Sequence, residues 1–180
     1  MRWSAALPVG DADAFHARYC ATARTYQYLI YNDSIRSPLL KGRAGWVFRP
    51  LQAELMREAA QALVGMHDFS AFRAAECQAS SPVRTMHQID VAQQGNLIML
   101  TFKANAYLHH MVRNIVGALV QVGLGNHPPA WMAELLAGRD RTVAAATFSP
   151  DGLYLAKIEY DARWALPQAA GVAPLFWNYS

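Results

Sequence analysis

Residues 103 to 117 read KANAYLHHMVRNIVG, and where this stretch breaks decides the fold. Leu97 to Lys103 is an apolar, strand-like run that ends here. The chain then turns, and a helix opens at His109 and His110. From His110 to Leu124 the sequence is strongly apolar and free of proline, which predicts a buried helix that Gly125 ends. Arg113, Gly117 and Gln121 recur at four-residue spacing and so share one helical face. On a helix this apolar, Arg113 is at least partly buried, and a buried guanidinium needs a carboxylate or phosphate partner. That partner is either a salt bridge between two elements or a functional anion. Gly117 on the same face predicts close packing against another backbone.

Upstream, Arg84 to Val91 alternates, with Thr85, His87, Ile89 and Val91 on one side. Gln94-Gly95-Asn96 is a turn, and with Leu97 to Lys103 it predicts an antiparallel hairpin. Arg24 to Tyr31 (RTYQYLIY) predicts a further strand, with Tyr26 and Tyr28 on the same face. Asn32-Asp33-Ser34 breaks it, and Ser37 to Pro50 reads as loop. Leu51, Leu55, Ala59 and Leu63 mark one face of a helix that Gly65 ends. Downstream, Pro128-Pro129 starts a short helix through Leu136, and Leu153 to Tyr160 (LYLAKIEY) alternates as a strand. Strands and helices mixed around a hairpin predict an α+β domain: a mainly antiparallel sheet with helices packed on one face.

The bulk numbers agree with one folded domain. The chain has 180 residues, 53% of them hydrophobic and 16% charged, which is enough for a core without disulfides. Sixteen Lys and Arg stand against 13 Asp and Glu, and the pI is about 9.0, which permits an anionic partner. Cys20 and Cys77 are too far apart for a metal knuckle and read as reduced thiols. No uninterrupted run of about 18 apolar residues predicts a membrane helix, and the first residues are too short for a signal core. A cytoplasmic location is the expectation.

Three groups carry possible chemistry. His109 and His110 invite a metal, but neighbours on a helix point about 100° apart and no HExxH spacing is present. No metal is therefore expected. Tyr26 and Tyr28 are either core aromatics or a platform for a nucleic-acid base, with Arg18 and Arg24 nearby for phosphates. Ser149-Pro150-Asp151-Gly152 makes the turn into the last strand, with Asp151 as turn former. No glycine-rich nucleotide loop and no nucleophile elbow occur.

In this order, FHARYCATARTYQYLIYN (from Phe15), GMHDFSAF (Gly65 to Phe72), KANAYLHHMVRNIVG and SPDGLYL resemble the C-terminal half of the tRNA pseudouridine synthase A family. The resemblance runs from about Arg2-Trp3 to Pro174-Leu175-Phe176. It implies an enzyme that isomerises uridine to pseudouridine in the anticodon stem-loop of tRNA, with no cofactor and no metal, on a flipped base. It implies that Arg113 pairs with the catalytic aspartate, that Tyr26 packs on the target uridine, and that Leu153 closes the pocket wall. Arg18, Arg24, Arg84, Lys103, His109 and His110 are the expected RNA contacts. It also implies a homodimer as the usual assembly.

The pattern departs at one place. The family's aspartate sits in a Gly-Arg-Thr-Asp loop upstream of FHAR, and that loop does not occur in these residues. Gly138-Arg139-Asp140-Arg141 lacks the threonine, and Asp140 reads as a loop residue. Asp11 and Asp13 read as solvated linker. The expected organisation is a partial strand and linker over 1–14 and a C-terminal synthase domain over 15–180, inactive until an N-terminal half of the same protein supplies the aspartate. Met1 is then a boundary rather than a natural start. The rival expectation is a non-catalytic RNA-binding or assembly module.

Overall fold

The computed structural model describes residues 15–166. The expected strand and linker over 1–14, with Asp11 and Asp13, and the segment Pro174 to Phe176 lie outside the described residues. Nine main elements follow in chain order: β1 (Ala21–Asn32), β2 (Gly45–Val47), α1 (Ala53–Gln61), β3 (Gly65–Asp68), β4 (Val83–Gln94), β5 (Leu97–Ala104), α2 (Met111–Gly123), α3 (Trp131–Gly138) and β6 (Leu153–Tyr160). The sheet runs β2-β1-β5-β4-β3, with β6 also paired to β1. Every pairing is antiparallel except β1 with β2. This is the α+β architecture the sequence predicts. No helix among the described residues is long and apolar enough to cross a membrane.

The hairpin β4–β5 turns through Gly95-Asn96, with Gln94 facing Leu97 across it and Gly95 at φ 55°. A glycine with positive φ in first place suits the tight hairpin turn that matches strand twist. Along β5, Ile98, Leu100, Phe102 and Ala104 are fully buried, whereas Thr101 and Lys103 are only half-buried. Alternation thus sets the face that receives the helices. The α2 helix is buried almost all round, from Met111 to Gly123, as its uniformly apolar sequence requires. It packs on α1 and α3, and its side chains join the core that covers the sheet. A smaller patch of Leu29, Ala44 and Met99 lies on the other face.

Three local expectations need correction. First, β2 lies inside the expected loop 37–50; three residues carry no readable period and become a strand only through β1. Second, Gly65, at φ 116°, not only ends the helix region but opens β3, an edge strand on β4. Third, Thr85 and His87 do not share a face with Ile89 and Val91. A bulge between Met86 and Gln88 shifts the register, so that Met86, Ile89 and Val91 point into the core and His87 is exposed.

Candidate functional site

At the margin where the sheet meets the start of α2 lies a cleft of about 930 Å³. Arg18, Arg24, Tyr26, Arg84, His109, His110, Arg113 and Leu153 all line it. These side chains come from β1, β4, β6, α2 and the loops around them, so they meet only in the folded chain.

Arg113 sits one turn into α2 and is half-buried. Its Nε donates to the carbonyl oxygen of Phe148 at 2.8 Å, and the Phe148 N–H donates back to the Arg113 carbonyl at 3.3 Å. None of the ion pairs among the described residues includes Arg113. The guanidinium is therefore fixed at Nε, while its two terminal nitrogens make no hydrogen bond to a described residue. That fork is the geometry a carboxylate or phosphate accepts in two parallel bonds.

The Phe148 segment is itself held by the one buried polar side chain of the described residues, Asn114. Its amide donates to Phe72 O at 2.8 Å; its oxygen accepts from Thr147 Oγ1 at 2.7 Å and from Arg141 at 3.2 Å. Gly117 faces the same segment, and a Cβ there would collide with the carbonyl oxygen of Ala146. The sequence expectation of close backbone packing at Gly117 is met.

Tyr26 is half-buried, and its ring meets Tyr107 edge-on at 5.0 Å and 82°. Burial, the largest cause, raises the Tyr107 phenol well above its ordinary value, so it stays protonated and donates to Arg24 O at 3.2 Å. Tyr28 points to the same sheet face but is fully buried. Two carbonyl oxygens, of Ser149 and Asp151, lie 2.7 and 2.6 Å from its hydroxyl and share its one proton. It is a core aromatic that fastens the turn before β6. Gly152, at φ 97°, lets that turn pass against Leu29 O, where a Cβ would clash. Leu153 opens β6 opposite Tyr28 and so reaches the cleft.

The cations differ in how they are held. Arg24 is spent on carbonyl oxygens of Ala21 (3.2 Å), Asn105 (2.6 Å) and Arg18. Arg84 donates to Ser81 O (2.9 Å) and Val83 O (2.6 Å), and burial lowers its pKa. Arg18 and His109 are exposed at the rim. Lys103 does not join them. It follows Phe102, which points to the helices, so Lys103 lies on the opposite sheet face and pairs with Glu159 at 2.8 Å. Asp140 caps the turn 141–143 by accepting from Thr142 N at 2.8 Å and does not line the cleft. Asp151 is in the turn before β6, as read from the sequence.

Contrary to the sequence expectation, His109 and His110 are not two neighbours within a helix. His109 precedes α2, and His110 is its left-handed N-cap at φ 59°. The two rings therefore stack at 3.9 Å and 28° rather than diverging. Sequence reasoning also missed Glu76, Cys77 and Tyr107, which line the same cleft. Tyr107 lay within the decisive stretch; Glu76 and Cys77 sit in an aperiodic loop that gave no signal.

The fold and the cleft define a class: an α+β domain whose sheet–helix margin gathers arginines and aromatic rings in one cleft. Comparison makes it particular. The family model described as tRNA pseudouridine synthase matches residues 59–161, more than half of the chain, and the chain belongs to that family. It is 58% identical over 168 residues to the tRNA pseudouridine synthase A of Herminiimonas arsenicoxydans, covering 93% of this chain and 61% of that protein. It is 62% identical over 158 residues to the one from Janthinobacterium sp. (strain Marseille), covering 88% and 58%. The chain thus spans about three-fifths of the length of these curated relatives.

Proposed function

We propose that the chain is the C-terminal half-domain of a tRNA uridine isomerase, acting on the anticodon stem-loop of tRNA. One observation carries the reading: a half-buried arginine, fixed at Nε and without a carboxylate among the described residues, faces a cleft lined by Tyr26 and Leu153. Arg113 takes an aspartate from a Gly-Arg-Thr-Asp loop outside these 180 residues. Beside the guanidinium that carboxylate stays ionised and aimed. Tyr26 packs on the flipped uracil and Leu153 closes the apolar wall. The N1–C1′ bond breaks, a C5–C1′ bond forms, N1 gains a proton and C5 loses one. No cofactor takes part in this scheme.

Arg18, Arg24 and Arg84 supply positive charge for phosphates around the cleft, His109 and His110 add hydrogen-bonding ring nitrogens at its rim, and Lys103 does not take part. The whole protein works as a homodimer in the cytoplasm. The test fuses this chain behind a Gly-Arg-Thr-Asp-bearing half from a relative. The fusion should release tritium from C5-tritiated uridine in tRNA. Arg113→Met should lower that rate at least about a hundredfold, the scale of losing one aligned charge-stabilising group. Undiminished release by the variant refutes the role of Arg113.

A further inference from the structure

Glu76, His109 and His110 converge at the rim of the cleft. The Nδ1 atoms of His109 and His110 lie 3.5 and 3.9 Å from Glu76 Oε1, and all three donor atoms lie within 4.8 Å of one another. Separations of 3.5 and 3.9 Å are too long for hydrogen bonds. The first matches the spacing of two donors around one tetrahedral ion, and the second closes to it by a shift of about 0.3 Å or more. With bonds of about 2.0–2.2 Å at tetrahedral angles, neighbouring donors sit about 3.3–3.6 Å apart.

The backbone holds this arrangement in place. Ala74 N–H donates to His109 O at 3.1 Å, and His109 N–H contacts Cys77 Sγ at 3.4 Å. These two bonds bracket Glu76 and tie its loop to His109. Arg73 fixes the same loop through Cys77 O at 2.5 Å and Ala79 O at 2.9 Å. The left-handed backbone of His110, disfavoured for residues other than glycine, brings its ring beside that of His109; imidazole lone pairs lie in the ring plane, so joint ligation turns the two rings out of this stack.

We propose that Glu76, His109 and His110 form a binding site for a divalent transition-metal ion of the zinc class. Two imidazole nitrogens and one carboxylate oxygen suit Zn2+, whereas Mg2+ and Ca2+ take oxygen ligands. Three protein donors leave a four-coordinate ion one position for water or for an oxygen of a ligand in the cleft. Arg113 and the start of α2 place positive potential nearby and weaken the site, so micromolar rather than nanomolar affinity is expected. The inference stands on these three residues and does not depend on the isomerase reading.

The test uses the tag-free chain with Zn2+ alone, followed by calorimetry and by metal analysis after dialysis, with Co2+ as a spectroscopic probe. One Zn2+ per chain and the visible absorption of tetrahedral Co2+ are expected. Glu76→Gln, His109→Asn and His110→Asn should each weaken binding by more than about tenfold, the least loss that even an outer partner of a ligand brings. Asparagine tolerates the left-handed backbone at position 110, Glu76 and His109 are exposed and His110 is only half-buried, so the variants keep their fold by near-ultraviolet circular dichroism. His127→Asn, whose ring stacks on Trp131 at 3.8 Å, should bind as the parent does. No stoichiometric zinc, or unchanged affinity in the three variants, overturns the proposal. A thiolate-to-cobalt band also overturns it, because Cys77 would then replace the stated donor set.

Discussion

Replacing Gly117 by alanine separates two opposing effects on one residue. Within a helix, alanine is favoured over glycine by about 1 kcal/mol. At position 117 the new methyl would collide with the Ala146 carbonyl oxygen, a backbone atom that cannot rotate aside. Forcing a methyl against a fixed backbone atom falls in the upper part of the overpacking range, about 2–3 kcal/mol, so the net change is a loss of roughly 1–2 kcal/mol. For a domain of this size that lowers the Tm by roughly 3–6 °C. The segment that must move carries Phe148, the partner of Arg113 Nε, so the arginine loses its anchor as well. Gly138 is the internal reference: it ends α3 with nothing within 4 Å of a Cβ. Gly138→Ala should be neutral or stabilising. Urea and thermal unfolding of both variants decide the matter. If Gly117→Ala is as stable as Gly138→Ala, the backbone contact does not govern this face of α2, and the reasoning fails.

Other consequences follow from the same contacts. Asn114→Ala leaves the Phe72 carbonyl and the Thr147 hydroxyl without their partner and should cost about 2–4 kcal/mol in urea unfolding. Glu159 is held below its ordinary value of 4.5, first by the hydrogen bond from Lys103 and then by that from Lys157. Its contribution to stability is present above pH 4.5 and is lost as the pH falls through its lower native value. Lys103→Gln should therefore lower the urea midpoint at neutral pH, and the gap should close in acid. Arg18→Ala should lower the salt slope of tRNA affinity by about one, whereas Lys103→Gln, on the opposite sheet face, should leave it unchanged; filter binding across a salt series reads both.

The long elements were legible because each carries its own period. The apolar run of α2, the helix before Gly65 and the β4–β5 hairpin with its Gly95-Asn96 turn all follow from local composition. What escaped depends on partners. β2 is a strand only because Ile30 to Asn32 pair with it, and the bulge at Met86 breaks the alternation from which His87 was placed. The candidate site divides in the same way. The resemblance picked out Tyr26, Arg113 and Leu153, and folding brings all three to one cleft. It grouped Lys103 with them, although its place next to core-facing Phe102 points it the other way. The meeting of Glu76 with His109 and His110 depends on a left-handed residue and on a loop without periodicity, and neither leaves a mark in composition.

The most direct test of the account gives this chain alone to bulk tRNA labelled with tritium at uridine C5, and measures filter retention and release of tritium to water side by side. Retention of tRNA without release is the expected result, with an aspartate from outside these residues completing Arg113. Release by the chain alone would contradict it, because one of the chain's own carboxylates, Asp140 or Asp151 foremost, would then be the group that attacks. Absence of retention would contradict it equally, because the cleft would then hold no RNA.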